Sequence, residues 1–329
     1  RDGVSLGYNL YFRETDYGEF NVANYLTNSS GFGAQFGYPI SDITRLGFNI
    51  TYDKTDIDIG SLPAREIYDF VSVEGNIFET LSAQLSWQRV TLNRGLFPTD
   101  GASTVLSVSS TIPGSDLSYY RLNVRQRYYQ PLTQNLVFGF QGELGYLDAY
   151  GDTEETPFFQ NFYAGGPRSL RGFESNTLGP RSTDAPCYEF NYEEGTCPNL
   201  LDTDGDGELD APYYNPYANQ TSRYRDAPIG GNIKIEGSLQ LIFRLPFIED
   251  QRSLRSAFFF DFGNVFSDNC KDYQINCSEP SVDDLRYSYG VGLTWITGFG
   301  PMSLAIAKPT NAGPRERTEE FQFTVGNVF

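Results

Sequence analysis

An acidic run at residues 202–210, DTDGDGELD, carries carboxylates at the alternating spacing found in calcium-binding loops. Hard carboxylate oxygens converge on one Ca²⁺ ion when a glycine lets the chain turn sharply between them. An EF-hand loop ends on a glutamate, whereas this sequence has Tyr213 at that place, so Asp210 would have to substitute for it. The candidate ligands are Asp202, Asp204, Asp206 and Asp210. A solvated acidic loop is the alternative, and no other cofactor is expected.

The four cysteines form two closely spaced pairs, Cys187 with Cys197 and Cys270 with Cys277. Both pairs lie in polar segments between strand-like runs, and neither has the CxxC spacing of a metal or redox site. The sequence therefore favours two short disulfides formed in an oxidising compartment.

The chain contains no histidine and has a formal net charge of -18. The missing imidazoles exclude histidine-based catalytic triads, zinc sites and general bases. Nucleic acid is not expected as a partner, because its phosphates require a basic surface. We therefore expect a protein that is not an enzyme, and an outer-membrane protease or lipase is disfavoured.

Alternation of apolar and polar residues with a period of two recurs along the whole chain, as in the apolar positions Leu46, Phe48, Ile50 and Tyr52. Twelve such runs lie at about residues 4–14, 29–39, 44–54, 80–92, 103–113, 119–130, 135–148, 230–245, 254–266, 287–297, 301–308 and 319–329. Each run has about the ten residues with which a tilted strand crosses a bilayer. The predicted fold class is all-β, an antiparallel transmembrane β-barrel over residues 1–329.

The lengths of the connections and the aromatic content favour a membrane barrel over a soluble β-sandwich. Turns near residues 40–42 and 131–134 are short, whereas the connections 55–79, 149–229 and 267–286 are long. Short turns on one side and long loops on the other are typical of outer-membrane barrels. The 16% aromatic content suits girdles at the two membrane interfaces. No apolar stretch approaches the roughly 18 residues that a spanning helix needs.

Several motifs resemble those of the BamA family of outer-membrane assembly proteins. The long connection contains NFYAGG at 161–166, LRGF at 170–173 and SNTLGP at 175–180. The first part resembles the family's hallmark loop, with Leu170 where the family usually has valine. Further matches are RGLFPTDG at 94–101, TIPGSD at 111–116 and FFDFG at 259–263. The loop residues carried over are Gly165, Gly166, Leu170, Arg171, Gly172 and Phe173.

The resemblance implies that the long loop enters the barrel lumen and that Arg171 is clamped there. A partly desolvated guanidinium needs acceptors, and Asp261 faces inward on its run, so a charge-assisted Arg171–Asp261 pair is expected, for which bidentate geometry is one option. Where the family commonly has a second carboxylate, this sequence has Gln240, which could act only as a neutral acceptor. The alternative is that Arg171 and Asp261 make unrelated lumen contacts.

The last run ends on an aromatic residue and resembles the C-terminal β-signal of outer-membrane barrels. Phe321, Phe323, Val325 and Phe329 share one face of this run. The same face would also be that of a last lipid-facing strand, and both interpretations hold together.

The resemblance implies insertion and folding of β-barrel proteins in the outer membrane of a Gram-negative bacterium, through a lateral seam and local thinning of the bilayer. The implied partners are the lipid bilayer, unfolded outer-membrane clients and the lipoproteins of the assembly complex. The family barrel has sixteen strands, so four N-terminal strands and the POTRA domains are expected to be missing from this chain. A secretion transporter of the same superfamily, with one dedicated partner, is the alternative, and a porin is a weaker one.

Overall fold

The computed structural model of this chain describes residues 3–20, 22–23, 25–59, 64–183, 189–191, 196–199, 227–246, 248, 253–274, 277–298 and 300–326. Within these ranges β-strand is the main secondary structure, and the one α-helix spans Arg65–Glu74. No helix of the described residues is long and apolar enough to cross a membrane.

The extended segments are numbered β1 to β16 in chain order. The first seven are β1 Ser5–Asp16, β2 Leu26–Ser41, β3 Thr44–Asp58, β4 Ile77–Val90, β5 Gly101–Thr111, β6 Tyr119–Thr133 and β7 Leu136–Ala149. Three short ones lie in the long connection: β8 Gly172–Phe173, β9 Glu189–Asn191 and β10 Thr196–Asn199. The remainder are β11 Ile233–Phe243, β12 Leu254–Phe266, β13 Arg286–Thr297, β14 Gly300–Pro309, β15 Thr318–Glu319 and β16 Phe321–Val325.

Twelve of these strands form one antiparallel sheet in the order β1-β2-β3-β4-β5-β6-β7-β11-β12-β13-β14-β16. This confirms the predicted fold class and the predicted number of strands. In the described residues β1 pairs only with β2, and β16 pairs only with β14, so the sheet is not closed. In the described part of the sheet, β1 and β16 are therefore the edge strands.

The two faces of the sheet differ as the alternation predicts. On β12, Phe258 and Phe260 are 52% and 40% exposed, whereas the alternate residues Phe259 and Asp261 are 4% and 0% exposed. The outward side chains are apolar, which suits contact with lipid, and the inward ones contact the long connection.

The last predicted strand is divided in two. Thr318–Glu319 pairs with Gly172–Phe173 of the long connection, whereas Phe321–Val325 pairs with Met302–Ile306 of β14. The break arises because residues 318–319 satisfy their backbone hydrogen bonds on the loop instead of on β14.

A cap of loop segments packs at the end of the sheet where the long connections lie. Helix α1, Arg65–Glu74, follows β3 and buries Ile67 and Phe70. It ends at Gly75, whose φ of +93° is readily adopted only by glycine and whose N–H donates to Val71. Two 3₁₀ turns, Tyr17–Phe20 and Phe158–Gln160, join the cap. Its apolar core comprises Val22, Ala23, Tyr25, Ile57, Ala64, Ile67, Phe70, Phe78, Leu117, Phe158, Ala227 and Ile229.

Cys270 and Cys277 form a disulfide in the connection between β12 and β13, as the sequence predicts. The side chains of the second predicted pair, Cys187 and Cys197, lie outside the described part of the chain. That pairing stays a prediction.

Candidate functional site

Arg171 of the long connection and Asp261 of β12 form a bidentate ion pair. Arg171 Nε donates to Asp261 Oδ2 at 2.7 Å, and Nη2 donates to Oδ1 at 2.7 Å. The Arg171 backbone N–H adds a third hydrogen bond to Oδ2 at 3.2 Å. The Asp261 side chain is fully buried and that of Arg171 is 16% exposed. Two parallel charge-assisted hydrogen bonds fix both the position and the orientation of the guanidinium.

Strand register decides which further groups reach this guanidinium. Ser238 of β11 lies directly opposite Asp261, and Arg171 Nη2 donates to its hydroxyl at 3.0 Å. Gln240 lies opposite Phe259 instead, and its Nε2 donates to the Ser238 hydroxyl at 3.3 Å. Gln240 therefore contacts Ser238, which in turn contacts Arg171. The neutral acceptor of the guanidinium is the Ser238 hydroxyl.

The ring of Phe259 covers one face of the same guanidinium. The Arg171 Cζ atom lies 3.4 Å from the ring centroid. The buried ring excludes water from that face and interacts favourably with the cation. Arg171 thus contacts acid, hydroxyl and aromatic groups of two neighbouring strands.

Two glycines shape the turn that precedes Arg171. Gly165 and Gly166 have φ values of +103° and +99°. A Cβ atom at Gly165 would lie 2.5 Å from the Glu174 carbonyl oxygen, and one at Gly166 would lie 2.6 Å from Ser175 Oγ. Only glycine fits both the dihedral angles and the close approach of the returning chain.

Leu170 and Phe173 anchor the same segment by apolar burial. Both are fully buried, in a cluster with Leu147, Phe162, Ala164, Leu178 and Val265. These partners come from the sheet wall and from the loop itself. The LRGF segment is therefore held by packing on either side of the ion pair.

A second tether joins the loop to β16. The buried Gln322 accepts a hydrogen bond from the Gly172 N–H at 3.2 Å and donates one to the Phe173 carbonyl at 2.7 Å. Gly172 permits this approach, because its φ is +90° and a Cβ there would lie 3.1 Å from the Cβ of Ala307. One short loop segment thus holds both β12 and the terminal strand.

Further polar contacts lie beside both attachments of the loop, the Arg171–Asp261 ion pair and the Gln322 hydrogen bonds. Beside the terminal strand, Glu174 N donates to the Arg317 carbonyl at 3.0 Å, and Arg317 Nε lies 3.1 Å from Glu174 Oε2. Beside β11, Ser169 Oγ contacts Glu236, whose other oxygen lies 3.0 Å from Lys234 Nζ. A carboxylate of β11 therefore does reach the loop, four residues before Gln240.

The residues of the C-terminal signal face outward in the described part of β16. Phe321, Phe323 and Val325 are 59%, 50% and 58% exposed. Phe329 lies outside the described residues. Gln322 is the inward residue between two outward phenylalanines, and this polar residue at an inward position is the sequence signal that could have identified it.

Buried polar groups connect the helix of the cap to the disulfide-bonded connection. Glu66 accepts hydrogen bonds from the Thr183 N–H at 3.1 and 3.0 Å and from Gln274 Nε2 at 3.2 Å. Burial raises the pKa of Glu66 above its ordinary value, although these hydrogen bonds oppose the shift. Tyr273 donates to Asp69 at 2.7 Å, and burial together with this carboxylate raises the pKa of its hydroxyl.

The predicted calcium ligands Asp202, Asp204, Asp206 and Asp210 lie outside the described residues. Elsewhere, the described ranges hold no cluster of three or more potential metal-ligating side chains. Calcium binding at residues 202–210 stays a prediction of the sequence.

Comparison with known proteins gives a family match over the whole chain, since the model of the Omp85 superfamily domain matches residues 1–329. The chain is 28% identical over 356 residues to the outer membrane protein assembly factor BamA of Neisseria meningitidis, covering 100% of this chain and 40% of that protein. It is 22% identical over 290 residues to the sorting and assembly machinery component 50 homolog of Mus musculus, covering 85% and 51%. The chain therefore spans about half or less of the length of these relatives.

Two solved structures are similar. BamA from Haemophilus ducreyi lacking POTRA domains 1–3 has a TM-score of 0.78 at 26% identity, covering 98% of this chain and 59% of that one. CdiB from Escherichia coli has a TM-score of 0.51 at 10% identity, covering 97% and 48%. The second similarity concerns the fold alone.

Proposed function

Because this chain belongs to the Omp85 superfamily and is a β-barrel protein of the outer membrane of a Gram-negative bacterium, we propose that it is the barrel of a factor that inserts and folds other β-barrel proteins in that membrane. The observation that carries this proposal is the double tether of the LRGF segment, through Arg171 to β12 and through Gln322 to β16. These two contacts stabilise the sheet beside β16, the strand to which a client strand would be added.

The terminal strand is suited to serve as one side of a lateral seam. Its described part pairs with β14 over Met302–Ile306, and one backbone hydrogen bond follows at each end, from Ala307 N to the Glu320 carbonyl and from Gly326 N to the Pro301 carbonyl. In the described residues no strand pairs with its other edge. A client strand adds to such an edge by forming main-chain hydrogen bonds, and this lowers the cost of bringing its polar backbone into the membrane. The LRGF segment holds β16 in place while a different strand pairs with the other edge of β16.

Local thinning of the bilayer beside the terminal strand is the second part of the proposed mechanism. The hydrocarbon core of a bilayer is about 30 Å thick. A lipid layer that becomes thinner at the seam presents a smaller barrier to the polar backbone of the client.

The proposed partners are the bilayer itself, unfolded β-barrel clients and the lipoproteins of the assembly complex. The lipoproteins would bind mainly through POTRA domains of the full-length protein. The long connection would lie on the extracellular side, with its Arg171 segment in the lumen, and the short turns would face the periplasm.

A reconstitution assay tests the proposal. The full-length protein is incorporated into liposomes, a urea-unfolded outer-membrane barrel is added, and its folding is followed by heat-modifiability on gels. We expect faster folding than in liposomes that lack the protein. Equal folding rates in the two preparations would refute the assembly function.

The alternative is a transporter that secretes one dedicated partner through the lumen, as the shared fold with CdiB permits. Such a transporter would move its partner across the membrane without accelerating the folding of unrelated barrels. The same reconstituted liposomes therefore discriminate the two functions when several unrelated clients are compared.

A further inference from the structure

A cavity of about 250 Å³ lies on the inner face of the sheet, at the end where the short turns are found. It is bounded by the segment around Phe97 and by residues of seven strands, which are β6, β7, β11, β12, β13, β14 and β16. The Arg171 segment closes it on one side. The cavity is thus distinct from the cap and adjoins the ion pair.

The charge of the cavity is opposite to that of the chain. Its described lining includes Arg127, Arg168, Arg171 and Arg255 and contains neither Asp nor Glu. Arg171 is neutralised by Asp261. The other three form no ion pair with any described residue, so three positive charges converge in a protein whose net charge is -18. Their mutual repulsion favours binding of an anion between them.

Arg255 gives the strongest indication of a ligand. Its Nη2 atom is buried and has no hydrogen-bond partner among the described residues. Its Cζ atom lies 4.9 Å from the ring centroid of Tyr129 and 5.9 Å from that of Phe97. The Tyr129 hydroxyl also interacts with this guanidinium, so the unpartnered donor is Nη2 alone. A desolvated donor without an acceptor is costly.

The remaining lining groups define what would fit. Leu92, Phe97, Pro98 and Tyr129 supply apolar and aromatic surface beside the arginines. Thr324, Gln240 and the hydrogen-bonded pair Thr294 and Ser303 supply neutral polar groups on the other strands. A planar or tetrahedral oxyanion can accept paired hydrogen bonds from a guanidinium, and an attached apolar group would contact the rings.

We propose that this cavity binds an organic oxyanion, with its carboxylate or phosphate oxygens on Arg255 and its apolar substituent against Phe97 and Tyr129. Arg127 and Arg168, whose side chains are exposed, contribute further positive potential. The inference is independent of the assembly function, because it concerns binding alone.

The test is calorimetric titration of the full-length protein in detergent, at fixed ionic strength and low chloride. The probes are benzoate, phenyl phosphate and inorganic phosphate. We expect saturable binding of benzoate or phenyl phosphate, with the tighter of the two identifying carboxylate or phosphate as the preferred group. Inorganic phosphate should bind at least tenfold more weakly than phenyl phosphate, because it lacks the apolar substituent.

Variants assign the binding to the cavity. Arg255→Gln should weaken binding at least tenfold, and Arg168→Gln, which alters an exposed side chain and leaves the packing intact, should weaken it several-fold. Arg89→Gln is the matched control, since Arg89 is an exposed arginine that does not line the cavity. Absence of saturable binding for all three probes, or unchanged binding in the Arg255 and Arg168 variants, would overturn the proposal.

Discussion

At the scale of single residues, Arg171 is held by complementary contacts on nearly every side. Asp261 accepts its two charge-assisted hydrogen bonds, Ser238 accepts another, and Phe259 covers its face. Asp261 is fully buried, and Arg171 is the cation with which it forms an ion pair. Removal of either partner would leave an uncompensated charge in a dry environment.

We therefore expect Asp261→Ala to destabilise the barrel by about 3–5 kcal/mol, the usual effect of breaking a buried ion pair. Urea unfolding of the full-length protein in lipid vesicles, followed by heat-modifiability, measures this difference. Arg171→Lys should also be destabilising, because an ammonium group cannot form the two parallel hydrogen bonds. The interpretation fails if Asp261→Ala is no less stable than a variant of an exposed acid such as Glu14→Ala.

Gln322 provides a second residue-scale prediction. Gln322→Leu keeps the volume but removes two hydrogen bonds to the loop, the one from the Gly172 N–H and the one to the Phe173 carbonyl. We expect a loss of about 1–3 kcal/mol and faster hydrogen exchange at residues 172–173 and 318–323. Gln88→Leu, at an exposed glutamine of β4, is the matched control. Identical hydrogen exchange in the Gln322 and Gln88 variants would show that the Gln322 hydrogen bonds do not stabilise the loop segment.

The ion pair could be inferred from the sequence, but the other contacts of the guanidinium could not. Alternation on β12 placed Asp261 on the inner face, and the motif placed Arg171 in the lumen. Which residue of β11 lies opposite Asp261 depends on strand register, and a shift of two residues exchanges Gln240 for Ser238 without changing the face. Register between strands is fixed by packing along the whole sheet, which no local pattern reveals.

At the scale of elements, the terminal strand and the cap depend most on long-range contacts. The division of the last strand into β15 and β16 follows from pairing with β8, which lies about 145 residues earlier in the chain. The alternation of residues 319–329 predicted one continuous strand, because a two-residue bridge to a distant loop has no local signature. The strands that pair only with sequence neighbours were predicted within a few residues.

Glu66 makes the stability of the cap depend on pH. Its pKa is raised above the ordinary value of 4.5 by burial, so the folded cap binds this proton more tightly than the unfolded chain does. The unfolding free energy of the cap therefore falls as pH rises from the unfolded pKa through the raised folded pKa. We expect Glu66→Gln to reduce this dependence, as measured by hydrogen exchange of α1 after correction for intrinsic rates. Glu14→Gln, at an exposed glutamate, should leave it unchanged, and an equal effect of both substitutions would rule out Glu66 as the cause.

The Cys270–Cys277 disulfide stabilises the same cap from the opposite side. It closes a loop with a sequence separation of 7. Loop-closure entropy for so short a loop is about 2 kcal/mol, and only the cap contacts of Lys271, Tyr273 and Gln274 depend on it directly. We expect the double substitution Cys270→Ser, Cys277→Ser to increase protease sensitivity at 267–285 while the twelve-stranded sheet stays folded. Loss of the folded sheet in that variant would contradict a local role.

At the scale of the whole molecule, the LRGF segment of the long connection contacts separate parts of one sheet. The LRGF segment contacts β11 and β12 through Ser238 and Asp261, and β14 and β16 through Gly172 and Gln322. Between these attachment points lies β13, so the loop spans the region of the sheet next to its terminal edge. A loop attached in this way transmits the position of β12 to the strand proposed to form the seam.

The most direct test is a double-substitution cycle on Arg171 and Asp261 in the reconstituted folding assay. Each alanine variant and the double variant are compared with the parent protein for the rate at which they fold a barrel client in liposomes. Because both residues act through one contact, we expect either single substitution to reduce the rate at least tenfold and the double variant to be no slower than the slower single one. Effects that multiply in the double variant, or single variants as active as Arg89→Ala, would contradict a role of this ion pair in supporting the seam.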